Sequence, residues 1–459
     1  MTPLRLLNVP PDMFFIYSFL YLLATTLLLP FEYAKRPAGL RRRWLKEKLG
    51  FIDLPSVTLH GSTLIWIHAV SMGEVLSATA FIREIKRRYP AVRIILSTIT
   101  DTGQRVAQER VSDVADVVYL PFDLGCILKK VIRRIKPDAF ITIETELWPN
   151  IFRLLHRKRI PILVMNGRLS DNSFKGYKRI RFFMRGILRC VSMFCMQDET
   201  YAERIRDLGA EPARVAVTGN FKFDTRPENR SLEWPGLLKG RFIILAGSTH
   251  EGEEESIVSA VKRLGSEIPG LTLILAPRHP ERFTVVEERT KASGLPCARS
   301  SELARWSRAG CRGIAENRES AGGSLFSGTS VVILDSIGEL ATLYGDCDIA
   351  VIGGSFIGHG GHNPLEPAFW GKPVLCGPHM ENFPFVREFY RKGAAQGTDA
   401  EGLSDALRDL IRSPEKRKAM GEKAKALYHE KAGAVDRAIA VLGRHVRLPL
   451  SLAPKEPFS

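Results

Sequence analysis

The sequence predicts an α/β protein of two doubly wound domains in series, preceded by an apolar helix. Three observations predict it. Continuous apolar runs alternate with amphipathic stretches, the pattern of a parallel sheet covered on both faces. The alternation stops at residues 225–240, "TRPENRSLEWPGLLKG", where two prolines, charge and glycine mark a linker, and then restarts. At 459 residues the chain exceeds what one core serves. The expected division is an anchor at 1–34, a Rossmann-like domain at 35–225, a linker at 226–240, and a second Rossmann-like domain at 241–459 that includes the last helices.

The first element is "MFFIYSFLYLLATTLLLPF", residues 13–31, which has no charged side chain and is about long enough to cross a bilayer core. No weighty basic region precedes it and no small-x-small cleavage site follows, so it reads as an uncleaved anchor, spanning or lying in the interface. A buried helix at a domain edge is the competing reading. The basic run "KRPAGLRRRWLKEK" (35–48) lies on its C-terminal side, which places the rest of the chain in the cytoplasm. A second basic run is "KGYKRIRFFMRGILR" (175–189), and the formal charge of +16 calls for an anionic partner: nucleic acid, an acidic membrane surface or a phosphorylated substrate. Seven cysteines without a CxxC spacing give neither a disulfide framework nor a cysteine zinc site. The 45% hydrophobic and 25% charged content exclude a largely disordered chain.

In the first half, strands are expected at "TLIWIHAV", "VRIILSTIT", "DVVYLPF", "DAFITIETE", "IPILVMNGR" and "RVAVTGN", with an amphipathic helix at 74–90. In the second half they are expected at "RFIILAGS", "LTLILAPRH", "VVILDS", "DIAVIGGS" and "KPVLCGP". The Gly/Ser-rich stretch 312–330 reads as a surface loop without chemistry. Open α/β sheets bind ligands at the carboxyl ends of their strands, so the facing edges and the cleft between the domains are where chemistry is expected.

Polar residues gather at those ends. Arg278 and His279 follow one strand, Gly338 and Glu339 open a helix after another, and "GGSFIGHGGHNPLEP" follows the next. In "HNPLE", Asn363 reads as an N-cap, Pro364 as the first helical residue and Glu366 as the acid of a capping box. A helix N-terminus with a nearby arginine favours phosphate, while Glu339 and Glu366 accept from sugar hydroxyls or base N–H groups; together they suit a nucleotide. There is no Rossmann GxGxxG after the first strand and no P-loop. His359 and His362 are a poor metal pair, since no carboxylate motif accompanies them. In the first domain Glu74 stands where a strand meets a helix; its plain reading is a favourable helix-start acid. Glu144, Glu146 and Lys222 sit at further strand ends and with Glu74 fit a general base plus charge stabilisation.

In this order, "SMGE", "ETELWPN", "NGRLS", "GNFKFD", "STHEGEE", "PRHPERF" and "GGHNPLE" resemble the 3-deoxy-D-manno-octulosonic acid (Kdo) transferases of lipopolysaccharide assembly. The resemblance runs from the N-terminal helix to about residue 390, with methionine at Met72 where the family often has valine. It implies a GT-B fold, CMP-Kdo as donor, a lipid A precursor as acceptor, no cofactor and no metal. By position, Glu74 matches the family's catalytic base, and Glu144 and Lys222 match its transition-state stabilisers. Pro277, Arg278, Ile337, Gly338, Glu339, Asn363, Pro364, Leu365 and Glu366 match the segments that hold CMP. The implied setting is the cytoplasmic face of a bacterial inner membrane, with anionic lipids as partners. Two other readings share some of these features: a GT-B transferase or epimerase with a UDP-linked donor, and, less well, a basic nucleic-acid-binding protein, for which no recognition module is present.

Overall fold

A computed structural model describes residues 11–54, 62–227, 230–308 and 327–449. The chain divides into two compact units, Met1–Thr225 with Ala432–Ser459, and Arg226–Lys431.

The first unit is built on seven parallel strands: β1 (Leu64–His68), β2 (Arg93–Thr98), β3 (Asp116–Tyr119), β4 (Ala139–Ile143), β5 (Ile162–Gly167), β6 (Met193–Met196) and β7 (Val215–Val217). Their order is β3-β2-β1-β4-β5-β6-β7. Every residue of β1 and β4 is buried, because these central strands are covered on both faces. Successive side chains serve opposite cores: Trp66 and Phe140 pack with Phe152 and Phe194 on one face, while Ile65, Ile67 and Ile141 pack with Phe81 on the other. Strand order reverses between β1 and β4, so the loops leaving these two strands diverge and leave a crevice at their carboxyl ends.

The second unit repeats the plan with β8 (Phe242–Thr249), β9 (Leu271–Pro277), β10 (Cys297–Arg299), β11 (Ser330–Ile333), β12 (Ile349–Ile352), β13 (Val374–Cys376) and β14 (Gln396–Gly397). The order is β10-β11-β9-β8-β12-β13-β14, again all parallel, with the reversal between β8 and β12. The loops after β8, β9, β11 and β12 therefore share one edge.

Three expectations change. The last helix, Ala434–His445, belongs with the first unit rather than the second: Ala438, Ile439 and Leu442 enter the core that holds Phe81 and Phe221. A helical period tells which face is buried, and it carries no information about the partner. The stretch expected as a linker is partly core, since Trp234 and Leu238 are 2% and 1% exposed and pack with Leu245 and Val332. The "HNPLE" helix starts one residue late: it runs only Leu365–Phe369, with Pro364 as N-cap and Gly371 at φ +70° just beyond its end. Asn363 still caps it, its Oδ1 accepting from the Leu365 N–H at 3.1 Å, but Glu366 accepts from the Asn363 side-chain amide at 3.3 Å. Most of the 312–330 loop lies outside the described residues.

At the N-terminus, α1 (Pro11–Lys35) and α2 (Ala38–Lys48) precede β1. The apolar expectation at 13–31 falls within α1, which is long and apolar enough to cross a membrane, with mean hydropathy 1.9 in its most apolar stretch of 18 residues.

Candidate active site

In the first unit, β1 ends at His68 and the chain turns through Ser71 into α3 (Met72–Arg88), placing Glu74 in the first helical turn. Glu74 is 8% exposed, and its carboxylate accepts from the Val70 N–H at 2.7 Å and the Ser71 hydroxyl at 3.0 Å. Those bonds and the helix terminus favour the ionised form. Burial outweighs them: it pushes the carboxyl up to about 7, and the neighbouring Glu146 and Glu144 carboxylates push in the same direction. A carboxyl half-ionised near neutrality suits a general base.

The partners come from the ends of β4 and β5. Glu144 follows β4 in the left-handed region at φ +59°, its N–H donating to the Met165 carbonyl at 2.9 Å. Asn166, also left-handed at φ +56°, accepts from the Phe221 N–H at 3.0 Å. Non-glycine residues in that region cost about 1–3 kcal/mol and persist where the surroundings hold them. The Asn166 bond fixes the turn that carries Lys222, whose N–H is capped by Asn220 Oδ1 at 3.0 Å. Burial lowers the Lys222 pKa, Arg168 lowers it further, and Glu144 opposes. The structure thus brings Glu74, Glu144, Glu146, Lys222 and Arg168 into one electrostatic group. Sequence reasoning gave Arg168 no role, although its position just after β5 was the available signal.

In the second unit, Glu253 organises the strand-end loops. This carboxylate, 1% exposed, accepts from the N–H groups of His250 at 2.8 Å, Gly354 at 2.6 Å and Phe356 at 3.4 Å, tying the loop after β8 to the loop after β12. A side chain at Gly353 would put Cβ 2.4 Å from the Ser248 carbonyl oxygen, so only glycine permits that approach. Arg278 follows β9, its N–H donating to the Thr249 carbonyl at 2.9 Å. Around it gather histidines: His250 and His362 meet Nε2 to Nε2 at 2.7 Å, His359 stacks on His250 at 4.4 Å and His279 stands edge-on at 5.4 Å. Burial first, then the neighbouring imidazoles and Arg278, push His250 and His362 down to about 4. They are neutral at pH 7, beside the Arg278 cation.

Glu366 is half-buried and its carboxyl is raised by burial, with the Asn363 bond and Arg278 opposing. Pro277, Arg278, Asn363, Pro364, Leu365 and Glu366 therefore stand together at the ends of β9 and β12. Ile337, Gly338 and Glu339 lie on the same edge beyond β11; Ile337 is 80% exposed, Gly338 has φ +90°, and Glu339 accepts from the Trp234 indole N–H at 3.2 Å. The Trp234 contact was not foreseen, because that residue fell in the expected linker. Among the described residues no group of three or more His, Cys, Asp or Glu side chains has a metal-binding arrangement.

Two Rossmann-like units with charged loops on the carboxyl edges of their sheets are the GT-B architecture. Solved GT-B-like folds agree: the neighbours include UDP-GlcNAc 2-epimerase of Neisseria meningitidis (TM-score 0.54, 13% identity, 83% of this chain and 100% of that one) and Acinetobacter baumannii MurG (TM-score 0.52, 13% identity, 83% and 99%). At such identity they speak for the fold alone. The family model of 3-deoxy-D-manno-octulosonic acid transferase matches residues 43–225, and that of glycosyl transferases group 1 matches residues 325–427. The Haemophilus influenzae 3-deoxy-D-manno-octulosonic acid transferase is 34% identical over 441 residues, 93% of this chain and 97% of the relative. The enzyme of the same name from Chlamydophila psittaci is 28% identical over 444 residues, 95% and 96% of the two chains. The chain belongs to the Kdo transferase family and is a glycosyltransferase.

Proposed function

We propose that the chain transfers Kdo from CMP-Kdo to a lipid A precursor with inversion at the anomeric carbon, Glu74 acting as general base. The observation that carries this reading is the Glu74 carboxyl, pushed up to about 7 beside Glu144, Lys222 and Arg168. Glu74 takes the proton of an acceptor hydroxyl, the oxygen attacks the anomeric carbon through an oxocarbenium-like state, and CMP departs. Glu144 stabilises the positive charge that develops on the sugar. Lys222 and Arg278 stabilise the negative charge growing on the leaving phosphate.

The second unit holds CMP. Arg278 donates to the phosphate, Glu366 accepts from the ribose, and Pro277, Ile337, Gly338, Glu339, Asn363, Pro364 and Leu365 shape the remainder of the nucleotide site. A monophosphate leaving group flanked by these cations needs no divalent ion, so activity is expected to persist in chelator. The acceptor is a phosphorylated glycolipid, which matches a +16 chain with an apolar N-terminal helix held at the cytoplasmic face of the inner membrane.

The test is CMP release by detergent-purified protein given CMP-Kdo and a tetra-acylated, bisphosphorylated lipid A precursor, beside Glu74→Ala, with the lipid product weighed by mass spectrometry. Acceptor-dependent release that the variant loses, with a Kdo-sized mass increment, is the expected result. Folded wild-type protein that binds CMP yet releases none would assign another donor or acceptor.

A further inference from the structure

Apart from Met13, the buried and half-buried residues of α1 fall along a single stripe: Phe14, Tyr17, Ser18, Tyr21, Thr25, Leu29 and Tyr33. The repeated spacing of four advances about 40° per step, so this covered band winds through about 160° of the helix circumference between Tyr17 and Tyr33. The stripe is bonded as well as packed. Near its start the Tyr17 hydroxyl donates to Asp123 at 2.9 Å, and Asp123, 1% exposed, also accepts from the Asn150 and Ile151 N–H groups. The Asn150 side-chain amide donates to the Ser18 hydroxyl at 2.9 Å, and Phe14 meets Phe183 edge-on at 5.8 Å. At the far end Tyr21, Leu29 and Tyr33 pack on Trp44, Tyr119 and Phe122. Just past the helix, Arg36 lies over the Trp44 ring at 4.0 Å and 3.3 Å from Asp101. The helix between Tyr17 and Arg36 is about 28 Å long, so the rod lies along the unit and is held at both ends.

The opposite face is an apolar ridge. Ile16, Leu20, Leu23, Leu27 and Phe31 recur at spacings of three and four, stay within an arc of about 80° around the helix, and are 49–74% exposed. Beyond the Phe183 contact, Ile180 and Phe182 extend the apolar surface. Exposed cations stand near both ends: Lys35 at the end of α1 with Arg42 and Lys46 in α2, and Lys175, Arg179 and Arg181 in the second basic run.

We propose that α1 does not cross the membrane but lies in the plane of its surface, one face seated on the first unit and the other in an anionic bilayer. The proposal rests on the membrane reading above. A crossing helix would need nearly its whole length to fill a core about 30 Å thick, with lipid on every side. It would strip Asp123 of the Tyr17 hydroxyl and expose the Trp44, Tyr119 and Phe122 cluster. Lying flat keeps both, puts the ridge about 5–10 Å into the headgroup and acyl boundary, and sets the cations against anionic headgroups.

The test binds full-length protein to vesicles of phosphatidylethanolamine and phosphatidylglycerol. A nitroxide side chain is placed in turn at positions 16, 20, 23, 27 and 31, in a background freed of reactive native cysteines, and its depth is read by power saturation against oxygen and a nickel chelate. The expected profile is flat, with all five labels at similar shallow depth and binding that weakens as salt rises. A profile deepest at position 23, falling off toward both ends, makes α1 a spanning helix and overturns the proposal while leaving membrane association standing. Failure to bind vesicles sinks both readings, and dipolar broadening between labels at position 20 in that unbound protein would give the ridge to a second copy of the chain.

Discussion

At the scale of the residue, Glu74 combines a stability cost with a catalytic use. The carboxyl is held at about 7 in the folded chain against an ordinary 4.5, chiefly by burial. The neutral form is therefore favoured by folding. Below about pH 4.5 the group is protonated in both states and costs nothing. As pH rises toward about 7 the unfolded chain releases a proton that the folded chain retains, so stability falls, and above about 7 the loss is complete. Glu74→Gln keeps an acceptor for the Val70 N–H and carries no charge. It is expected to melt with wild type at pH 4 and to exceed it at pH 8 by up to about 3 kcal/mol in calorimetry. The same substitution removes the base, and turnover should fall by about 10²–10⁴-fold. In the wild-type enzyme kcat/KM should climb through an apparent pKa of about 7. A flat profile between pH 5 and 8, with the Gln variant active, would assign proton removal elsewhere.

At the scale of the element, the last helix shows what sequence could and could not tell. The strands were legible because those of a doubly covered parallel sheet are continuous apolar runs, and Glu74, Arg278 and Asn363 drew notice as polar residues at their ends. Pairing was not legible. Nothing in "AVDRAIAVLGRH" shows that it docks on Phe81 and Phe221 rather than on the nearer strands of the second unit. Nor does hydropathy report that Glu253 collects three N–H groups from two loops, or that His250 meets His362, since both facts depend on which loops the strand order brings together. The stripe on α1 did leave a trace, with Tyr17, Tyr21 and Thr25 spaced by four inside the apolar run and Tyr33 just beyond it. The docking of the last helix has a residue to test it. Asp224, two residues after Lys222, accepts from the Gly433 N–H at 2.5 Å and the Val435 N–H at 2.6 Å, capping the helix at its start. Asp224→Ala should cost about 1 kcal/mol, as a lost cap does, and lower Tm by about 2–4 °C. Because the same short turn carries Lys222, kcat should drop more than KM rises. Unchanged melting and kinetics would mean that apolar packing alone seats the helix.

At the scale of the whole molecule, α1 is both a membrane-facing element and a wall of the first unit, and this changes what its removal does. An anchor that merely tethers can be cut away without loss to the fold. Here deletion of residues 1–35 would leave Asp123 without the Tyr17 hydroxyl, remove the ring of Phe14 from Phe183, and open the Trp44, Tyr119 and Phe122 cluster to water. Buried aromatic surface stabilises by roughly 25 cal/mol for each Å² kept from water, so the exposed cluster carries a penalty even after side chains relax. The second unit has its own sheet and its own cores, made by residues 234–420, and owes α1 no contact within them. The truncated protein is therefore expected to lose vesicle binding and to show a lower melting temperature for the first unit, while CMP still binds with wild-type affinity by titration calorimetry. Truncation that releases the protein from membranes and leaves the melting curve unmoved would show that the stripe contacts contribute nothing to folding. Lost CMP affinity would mean that the nucleotide site depends on the first unit as well as on Arg278 and Glu366.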